Sequence, residues 1–209
     1  MRSIIPIYSK SSKSETLSGP LRISSVLVGA VFAATILANP ASADGTIVAL
    51  GDSNTAGFGV GNEQAFPAQL ENILRKRGRP VRVVNAGVSG DTFGGLASRV
   101  DGSVKKGTKL VIVQAGYNDR AYGVPPQKTI ADMKTVMAKL RARGVAAVLC
   151  GFFDKKWDAV GRQVASQYGA QFVPGSTCYD PRYRGPDGLH MSAAGHQVIA
   201  GRLANVVGR

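Results

Sequence analysis

Three residues of this chain have the side chains that nucleophilic catalysis needs. The sequence contains two histidines, and one of them closes the segment Asp187-Gly-Leu-His190 near the C-terminus. Far upstream, Ser53 follows an apolar run in the segment Gly51-Asp52-Ser53. A serine hydroxyl is a poor nucleophile at neutral pH unless a base takes its proton and another group orients that base. An Asp and a His in one loop could supply both, so the sequence predicts a Ser53–His190–Asp187 triad and a serine hydrolase.

These residues also have purely structural interpretations. Ser53 could cap a helix after the first strand, a frequent role of serine, and His190 could simply precede the last helix. The second histidine, His196, falls inside that helix and is predicted to be a packing or surface residue. Three aspartates are predicted to orient backbone N–H groups in turns rather than act as acids: Asp52, Asp91 and Asp119.

Apolar runs alternate along the chain with amphipathic segments. Five runs are predicted as strands: 46–50, 81–84, 110–114, 146–150 and 170–173. Helical spacing of apolar residues predicts helices at 64–77, 94–105, 125–143 and 157–168, and a last one capped by Ser192. Strands that are apolar throughout are buried on both faces, and their alternation with helices implies a parallel sheet with right-handed crossovers. The predicted fold is α/β, a three-layer α/β/α sandwich with a five-stranded parallel sheet in flavodoxin-like order.

Polar, glycine-containing segments follow the first three strands and precede the last helix. They are Gly51–Gly57, Asn85–Thr92, Gly116–Asp119 and Asp187–His190. In such sheets the functional loops lie beyond the carboxyl ends of the strands. We therefore expect all four segments to converge at one edge of the sheet.

These four segments, in this order, resemble the sequence blocks of the GDSL, or SGNH, hydrolase family. The match spans roughly residues 46–207, and the Gly-Asp-Ser-x-Thr-Ala-Gly and Val-Ser-Gly-Asp-Thr motifs are most similar to its secreted thioesterase I, lysophospholipase L1 and arylesterase branch. Any one block is a weak signal, whereas four in order, each at a predicted strand end or before the last helix, are a strong one. The resemblance implies the SGNH hydrolase fold and activity on ester bonds.

The same resemblance assigns roles to individual residues. Ser53 would attack the ester carbonyl, His190 would act as base and acid, and Asp187 would orient the imidazole. The oxyanion hole would consist of the backbone N–H groups of Ser53 and Gly90 and the side-chain amide of Asn118. Fixed donors about 3 Å from a developing oxyanion are what such a reaction requires.

The chain departs from the family pattern at two positions. Tyr117 stands in the third block where many relatives have glycine, and it is expected to narrow or line the acyl site. Met191 follows His190 where a proline is common, which is expected to change only how the last helix begins. Other aromatic residues near the predicted edge are weighed between core packing and substrate contact: Tyr122, Phe153 and Trp157.

The N-terminus has the pattern of a secretory signal. Basic residues dominate 1–22, an apolar run covers 23–37, and Ala41-Ser42-Ala43 provides small residues for cleavage. We predict cleavage after Ala43, a single domain at 44–209, and a periplasmic or secreted protein without a stable membrane span. The alternative is an uncleaved N-terminal anchor, although the run is short for a membrane span.

The composition bounds the partners of the protein. The chain has a net charge of +13, but without aromatic interleaving or a nucleic-acid motif we predict no nucleic-acid partner. Attraction to an anionic polysaccharide or envelope surface is consistent with this charge.

The spacing of Cys150 and Cys178 fits no metal motif, and the sequence leaves open whether they form a disulfide or remain separate thiols. No metal or cofactor is predicted, because the chain lacks a ligand cluster, a P-loop and dinucleotide spacing.

Three functions are compatible with these observations. The first is an exported serine esterase that acts on short to medium acyl esters, with thioesterase or lysophospholipase activity included. The second keeps the chemistry but places it on acetyl esters of cell-wall or extracellular polysaccharide. The third is a non-catalytic flavodoxin-like binding module, which would have no need of a nucleophile, base, orienting acid and oxyanion donor together.

Overall fold

The computed structural model describes residues 45–79, 81–151 and 155–208. The predicted leader 1–43, its cleavage point and Phe153 lie outside these residues. The strands are β1 (Thr46–Gly51), β2 (Arg82–Gly87), β3 (Thr108–Gln114), β4 (Ala146–Cys150) and β5 (Gln171–Val173). They form one sheet in the order β2-β1-β3-β4-β5, and every neighbouring pair is parallel. The predicted five-stranded parallel sheet in flavodoxin-like order is confirmed.

The helices of the described residues are α1 (Ser53–Ala56), α2 (Phe66–Lys76), α3 (Phe93–Ser103), α4 (Tyr117–Ala121), α5 (Pro126–Ala142), α6 (Lys155–Tyr168), α7 (Gly175–Cys178) and α8 (Ala193–Val207). The long helices cover both faces of the sheet. Apolar residues of α3, α5 and α6 pack with one face, and those of α2 and α8 pack with the other. The three-layer arrangement is therefore confirmed.

Strand β1 shows why the sequence signal for this sheet was strong. Val48 and Leu50 belong to the core beneath α3 and α5, whereas Ile47 and Ala49 belong to the core beneath α2 and α8. Successive side chains of a strand point to opposite faces, and here both faces are covered by helices. A continuous apolar run is the result.

Strand β2 extends three residues beyond its predicted end. Its pairing with β1 continues through Gly87, which is the register partner of Gly51. The run of apolar residues stops at Asn85, so the sequence pattern did not include this end. Gly87 is required where it stands, because a Cβ there would overlap the backbone of Ala56. This close approach seats the first turn of α1 against the end of β2.

Three short helices were not predicted, namely α1, α4 and α7. Each starts shortly after a strand ends, and each has only four or five residues. Such segments are too short to show helical periodicity. They matter because α1 and α4 carry residues of the Gly-Asp-Ser and Gly-Tyr-Asn-Asp segments at the carboxyl edge of the sheet.

The two cysteines form a disulfide. Cys150 ends β4 and Cys178 ends α7, with 6.0 Å between their Cα atoms. The bond joins the end of a sheet strand to the segment that leads into the Asp187–His190 loop.

No helix among residues 45–79, 81–151 and 155–208 is long and apolar enough to cross a membrane.

Candidate active site

Ser53 is the first residue of α1, just beyond the carboxyl end of β1. Asp52 occupies the capping position of this helix, and its Oδ1 accepts a hydrogen bond from the N–H of Asn54 at 3.0 Å. The structural interpretation in which Ser53 caps the helix is therefore wrong. Its hydroxyl instead faces the loop that precedes α8.

The structure brings the predicted triad residues into one hydrogen-bonded chain. The Oγ of Ser53 lies 3.0 Å from Nε2 of His190, and Nδ1 of the same ring lies 2.6 Å from Oδ2 of Asp187. The other carboxylate oxygen of Asp187 accepts the N–H groups of Leu189 and His190, both at 2.9 Å. The loop thus holds its own carboxylate against the ring that it orients.

Electrostatics support the same orientation. The hydrogen bond from His190, with the N–H groups of Leu189 and His190, lowers the pKa of Asp187 to about 2. Asp187 is consequently an anion at neutral pH. An anion beside Nδ1 favours a proton on that nitrogen, which directs the lone pair of Nε2 at the Ser53 hydroxyl.

The residues predicted to bind an oxyanion follow three adjacent strands. Ser53 follows β1, Gly90 follows β2 and Asn118 follows β3. The backbone N–H groups of Ser53 and Gly90 donate to no other group among the described residues. Gly90 has a φ of 81°, a left-handed conformation that glycine adopts readily. Two backbone donors are therefore available at this edge of the sheet.

The side chain of Asn118 is held in place by the segment that contains Gly90. Its Nδ2 donates to the carbonyl oxygen of Asp91 at 2.8 Å. An amide nitrogen carries two hydrogens, so the second one remains available to a ligand. The chain turns into α4 through Gly116, whose φ of 116° favours glycine.

Arg99 connects the segments that carry these donors, a role that sequence reasoning missed. From α3, its Nε contacts Asp91 Oδ2 at 2.6 Å. The same guanidinium donates to the carbonyl oxygens of Ala86 at 2.8 Å and Gly51 at 3.0 Å. The backbone carbonyl of Asp91 also accepts the hydrogen bond from the Asn118 amide. One cation therefore holds together the ends of β1 and β2 and the residue that positions Asn118. No local motif marks Arg99, since its partners lie up to 48 positions away.

Asn54 joins the nucleophile segment to the histidine loop. Its Oδ1 accepts the N–H of Met191 at 3.0 Å. Proline has no N–H, so the proline common in relatives could not make this bond. Met191 therefore does more than shape the start of α8, which corrects the expectation from the sequence.

The three aspartates near these segments all accept backbone N–H groups, as predicted. Asp52 binds Asn54, Asp91 binds the N–H of Thr92, and Asp119 binds the N–H of Phe93 from another loop. Asp52 is almost fully buried, and burial raises its pKa to about 6.

Two of the residues predicted to contact substrate, Tyr117 and Trp157, line cavities, whereas Tyr122 lines neither of the two cavities described below. A cavity of about 320 Å³ is lined by Tyr117 and Trp157, together with Val124, Pro125 and Pro126. Tyr117 also lines a larger groove of about 1230 Å³. The hydroxyl of Tyr122 lies 3.1 Å from the position that a Cβ on Gly90 would occupy, and the rest of this side chain is exposed.

Phe58 is a second residue that sequence reasoning missed. Its ring centroid lies 4.4 Å from that of His190, at an interplanar angle of 39°. The side chain remains 53% exposed, so it shields one side of the imidazole from solvent without closing the site. Its position five residues after Ser53 was the only available signal.

His196 lies in the core rather than in the site. It has no exposed surface, and its Nδ1 accepts the N–H of Phe66 at 3.2 Å. This establishes packing rather than surface exposure as its environment.

Among the residues that the structure describes, no group of three His, Cys, Asp or Glu side chains could hold a metal ion.

Comparison with known proteins agrees with this geometry. A family model described as GDSL-like Lipase/Acylhydrolase matches residues 49–198. "Esterase TesA" of Pseudomonas aeruginosa is 30% identical over 149 residues, which are 71% of this chain and 69% of that protein. "Thioesterase 1/protease 1/lysophospholipase L1" of Escherichia coli K12 is 25% identical over 177 residues, covering 78% of this chain and 84% of that protein.

A solved structure extends the likeness to three dimensions. It is that of AlinE4, described as an SGNH-hydrolase family esterase, with a TM-score of 0.63 and 28% identity. The alignment covers 79% of this chain and 95% of that one. The region that the family model matches, residues 49–198, contains all five predicted catalytic and oxyanion residues: Ser53, Gly90, Asn118, Asp187 and His190. The chain belongs to the GDSL-like lipase/acylhydrolase family and is an ester hydrolase of the SGNH type.

Proposed function

We propose that this protein is an exported serine esterase that hydrolyses carboxylic esters of short to medium acyl chains through an acyl-enzyme on Ser53. The observation that carries the proposal is the continuous contact from Ser53 Oγ through the His190 ring to Asp187, at 3.0 and 2.6 Å. A hydroxyl, a base and an anion in this order form the arrangement that activates a serine.

In the acylation step, Ser53 Oγ forms a bond to the ester carbonyl carbon while its proton passes to Nε2 of His190. The carbonyl oxygen becomes an oxyanion, which the N–H groups of Ser53 and Gly90 and the amide of Asn118 would bind. His190 then gives the proton to the leaving alkoxide as the ester C–O bond breaks. The alcohol departs and the acyl group remains on Ser53.

In the deacylation step, water attacks the acyl carbonyl and loses a proton to Nε2 of His190. The bond to Ser53 Oγ breaks, and the same proton returns to the serine. Asp187 stays ionised throughout and stabilises the imidazolium that forms in each step. The products are the carboxylic acid and the regenerated enzyme.

The cavity of about 320 Å³ supports a short to medium acyl chain. It begins at Gly116 and Tyr117, the residues before Asn118, and continues along Val124 and Trp157. Apolar lining of this kind suits a hydrocarbon chain. Its volume is at the lower end of the range of ligand pockets, about 300–1,000 Å³.

Hydrolysis of p-nitrophenyl esters from acetyl to palmitoyl tests the proposal. We expect turnover by residues 44–209 to peak at short to medium chains and to vanish in Ser53→Ala. Ser166→Ala, an exposed serine on α6, serves as the matched control and should retain activity. A steep preference for acetyl would favour the polysaccharide acetylesterase, and wild-type rates in Ser53→Ala would refute the triad.

Export is proposed on separate grounds. The basic segment, apolar run and Ala41-Ser42-Ala43 sequence favour cleavage after Ala43. The Cys150–Cys178 disulfide is typical of proteins in oxidising compartments. N-terminal sequencing of the protein recovered from bacterial periplasm or medium tests the proposal. A first residue of Asp44 is expected, whereas recovery of the full-length chain in membranes would favour an uncleaved anchor.

A further inference from the structure

The larger groove opens beside the proposed catalytic residues. It has a volume of about 1230 Å³. Tyr117, the neighbour of Asn118, lines one part of it, and Gly188 and Leu189, which precede His190, line another. A substrate whose carbonyl lay at Ser53 could therefore extend into this groove.

The lining of the groove is strongly cationic. Among the described residues, five cationic side chains line it: Arg120, Lys155, Arg182, Arg184 and Arg202. Two carboxylates line it, Asp158 and Asp180. Asp180 is shared by two of these arginines, Arg182 at 2.7 Å and Arg202 at 2.8 Å. The described lining thus carries more positive charge than its carboxylates neutralise.

Arg184 differs from Arg182 and Arg202 because its hydrogen-bond partner is neutral. Its Nε donates to the hydroxyl oxygen of Tyr179 at 2.7 Å. That hydroxyl in turn donates to the carbonyl oxygen of Leu189 at 2.8 Å. No carboxylate of the described residues lies within 4.0 Å of the Arg184 guanidinium. The guanidinium is therefore anchored next to the catalytic loop while its charge and its remaining N–H donors are still available.

We propose that Arg184 anchors a subsite for a phosphate or carboxylate group carried by the alcohol portion of the ester, an inference that rests on the esterase function proposed above. Arg184 is tied through Tyr179 to Leu189, the residue before His190. Because His190 hands a proton to the leaving alkoxide, a group bound along this wall belongs to the alcohol. The planar guanidinium fork matches two oxygens of either anion.

Matched esters test this subsite. The substrates are 4-acetoxybenzoate and 4-acetoxyphenyl phosphate, which are anionic, and methyl 4-acetoxybenzoate, which is neutral. The quantity measured is kcat/KM for each anionic ester divided by kcat/KM for the neutral one. Loss of active enzyme cancels within this ratio. The different leaving-group abilities of the alcohols cancel when the ratio of a variant is divided by that of wild type.

We expect Arg184→Gln to lower this ratio about tenfold, mainly through KM, because one charge-assisted contact is lost. Arg184→Lys should give an intermediate ratio, since it keeps the charge but not the fork. Arg82→Gln removes the same charge from the start of β2, at the opposite end of the sheet, and should keep the wild-type ratio. Added NaCl should lower the wild-type ratio towards that of Arg184→Gln.

The two anionic esters identify the source of the charge. A larger effect with the phosphate supports a phosphorylated alcohol, and a larger effect with the carboxylate supports an acidic sugar or similar alcohol. Equal ratios in wild type and Arg184→Gln, with the neutral ester hydrolysed, would overturn the subsite alone. If wild type hydrolysed none of the three, the esterase proposal would fall, and calorimetric binding of 4-hydroxybenzoate would decide the subsite. Equal or absent binding to wild type and Arg184→Gln would then overturn it as well.

Discussion

The buried histidine of the core makes the stability of this protein depend on pH. His196 has no exposed surface, and its Nε2 has no hydrogen-bond partner among the described residues. Protonation would place an uncompensated charge in an apolar core. Burial accordingly lowers the pKa of His196 from 6.5 to about 4.

The sign of the effect follows from proton binding in the two states. Between pH 4 and pH 6.5 the unfolded chain binds a proton at position 196 that the folded chain does not. The free energy of unfolding therefore rises with pH in this window. The contribution of His196 is complete above pH 6.5 and is lost as the pH falls towards 4. The difference between the two pKa values corresponds to about 3 kcal/mol.

Replacement of His196 by asparagine isolates this term. The Asn oxygen can accept the N–H of Phe66 but does not titrate. Asp52, whose pKa is raised to about 6, has the opposite effect on stability. As the pH falls, its folded form takes up a proton before its unfolded form does. Since Asp52 is present in every variant, only the difference between wild type and variant reports on His196.

Urea unfolding followed by circular dichroism at pH 4.0 to 7.5 provides the measurement. Between these limits, wild type should lose about 3 kcal/mol more than His196→Asn as the pH falls. Gln197→Asn, an exposed change on the same helix, should follow wild type. Parallel curves for wild type and His196→Asn would refute the reasoning. The chain has only two histidines, so an NMR titration can measure the pKa of His196 directly.

Three further predictions concern the site and the disulfide. Asp187→Asn should lower kcat by about 10³- to 10⁴-fold with the fold retained, because the imidazole loses its orienting anion; a tenfold change or less in steady-state assays would contradict this role. Arg99→Lys should lower kcat by about ten- to a hundredfold with little change in KM, since it loosens the support of Asn118 rather than substrate binding; an equal rise in KM would argue against a positioning role. The double variant Cys150→Ala/Cys178→Ala opens a loop of 28 positions. In urea titrations it should lower the free energy of unfolding by about 3–4 kcal/mol. Stability equal to that of oxidised wild type would show that the disulfide adds nothing.

Much of the fold could be predicted from the sequence because its signals are local. A strand covered by helices on both faces needs an unbroken apolar run, as in β1 and β3. Ser53 and the oxyanion donors lie in short segments at strand ends, and parallel topology alone brings such segments to one edge. Asp187 and His190 lie instead in the segment before the last helix. The signal weakened where elements were short, as in α1 and α4, or where a polar residue interrupted an apolar run, as at Asn85 in β2.

By itself, the sequence determined the order of the strands and the long helices and which side chains could do chemistry. The tertiary structure alone decided how distant segments meet at the site. It paired Cys150 with Cys178, left open by spacing. It also placed Phe58 against His190, joined Asn54 to Met191 across 137 positions, and set Arg99 between the carboxyl ends of two strands. These contacts depend on the directions in which the loops leave the sheet. They also depend on which polar atoms become buried and need a partner from another segment. Both are decided only when the layers pack.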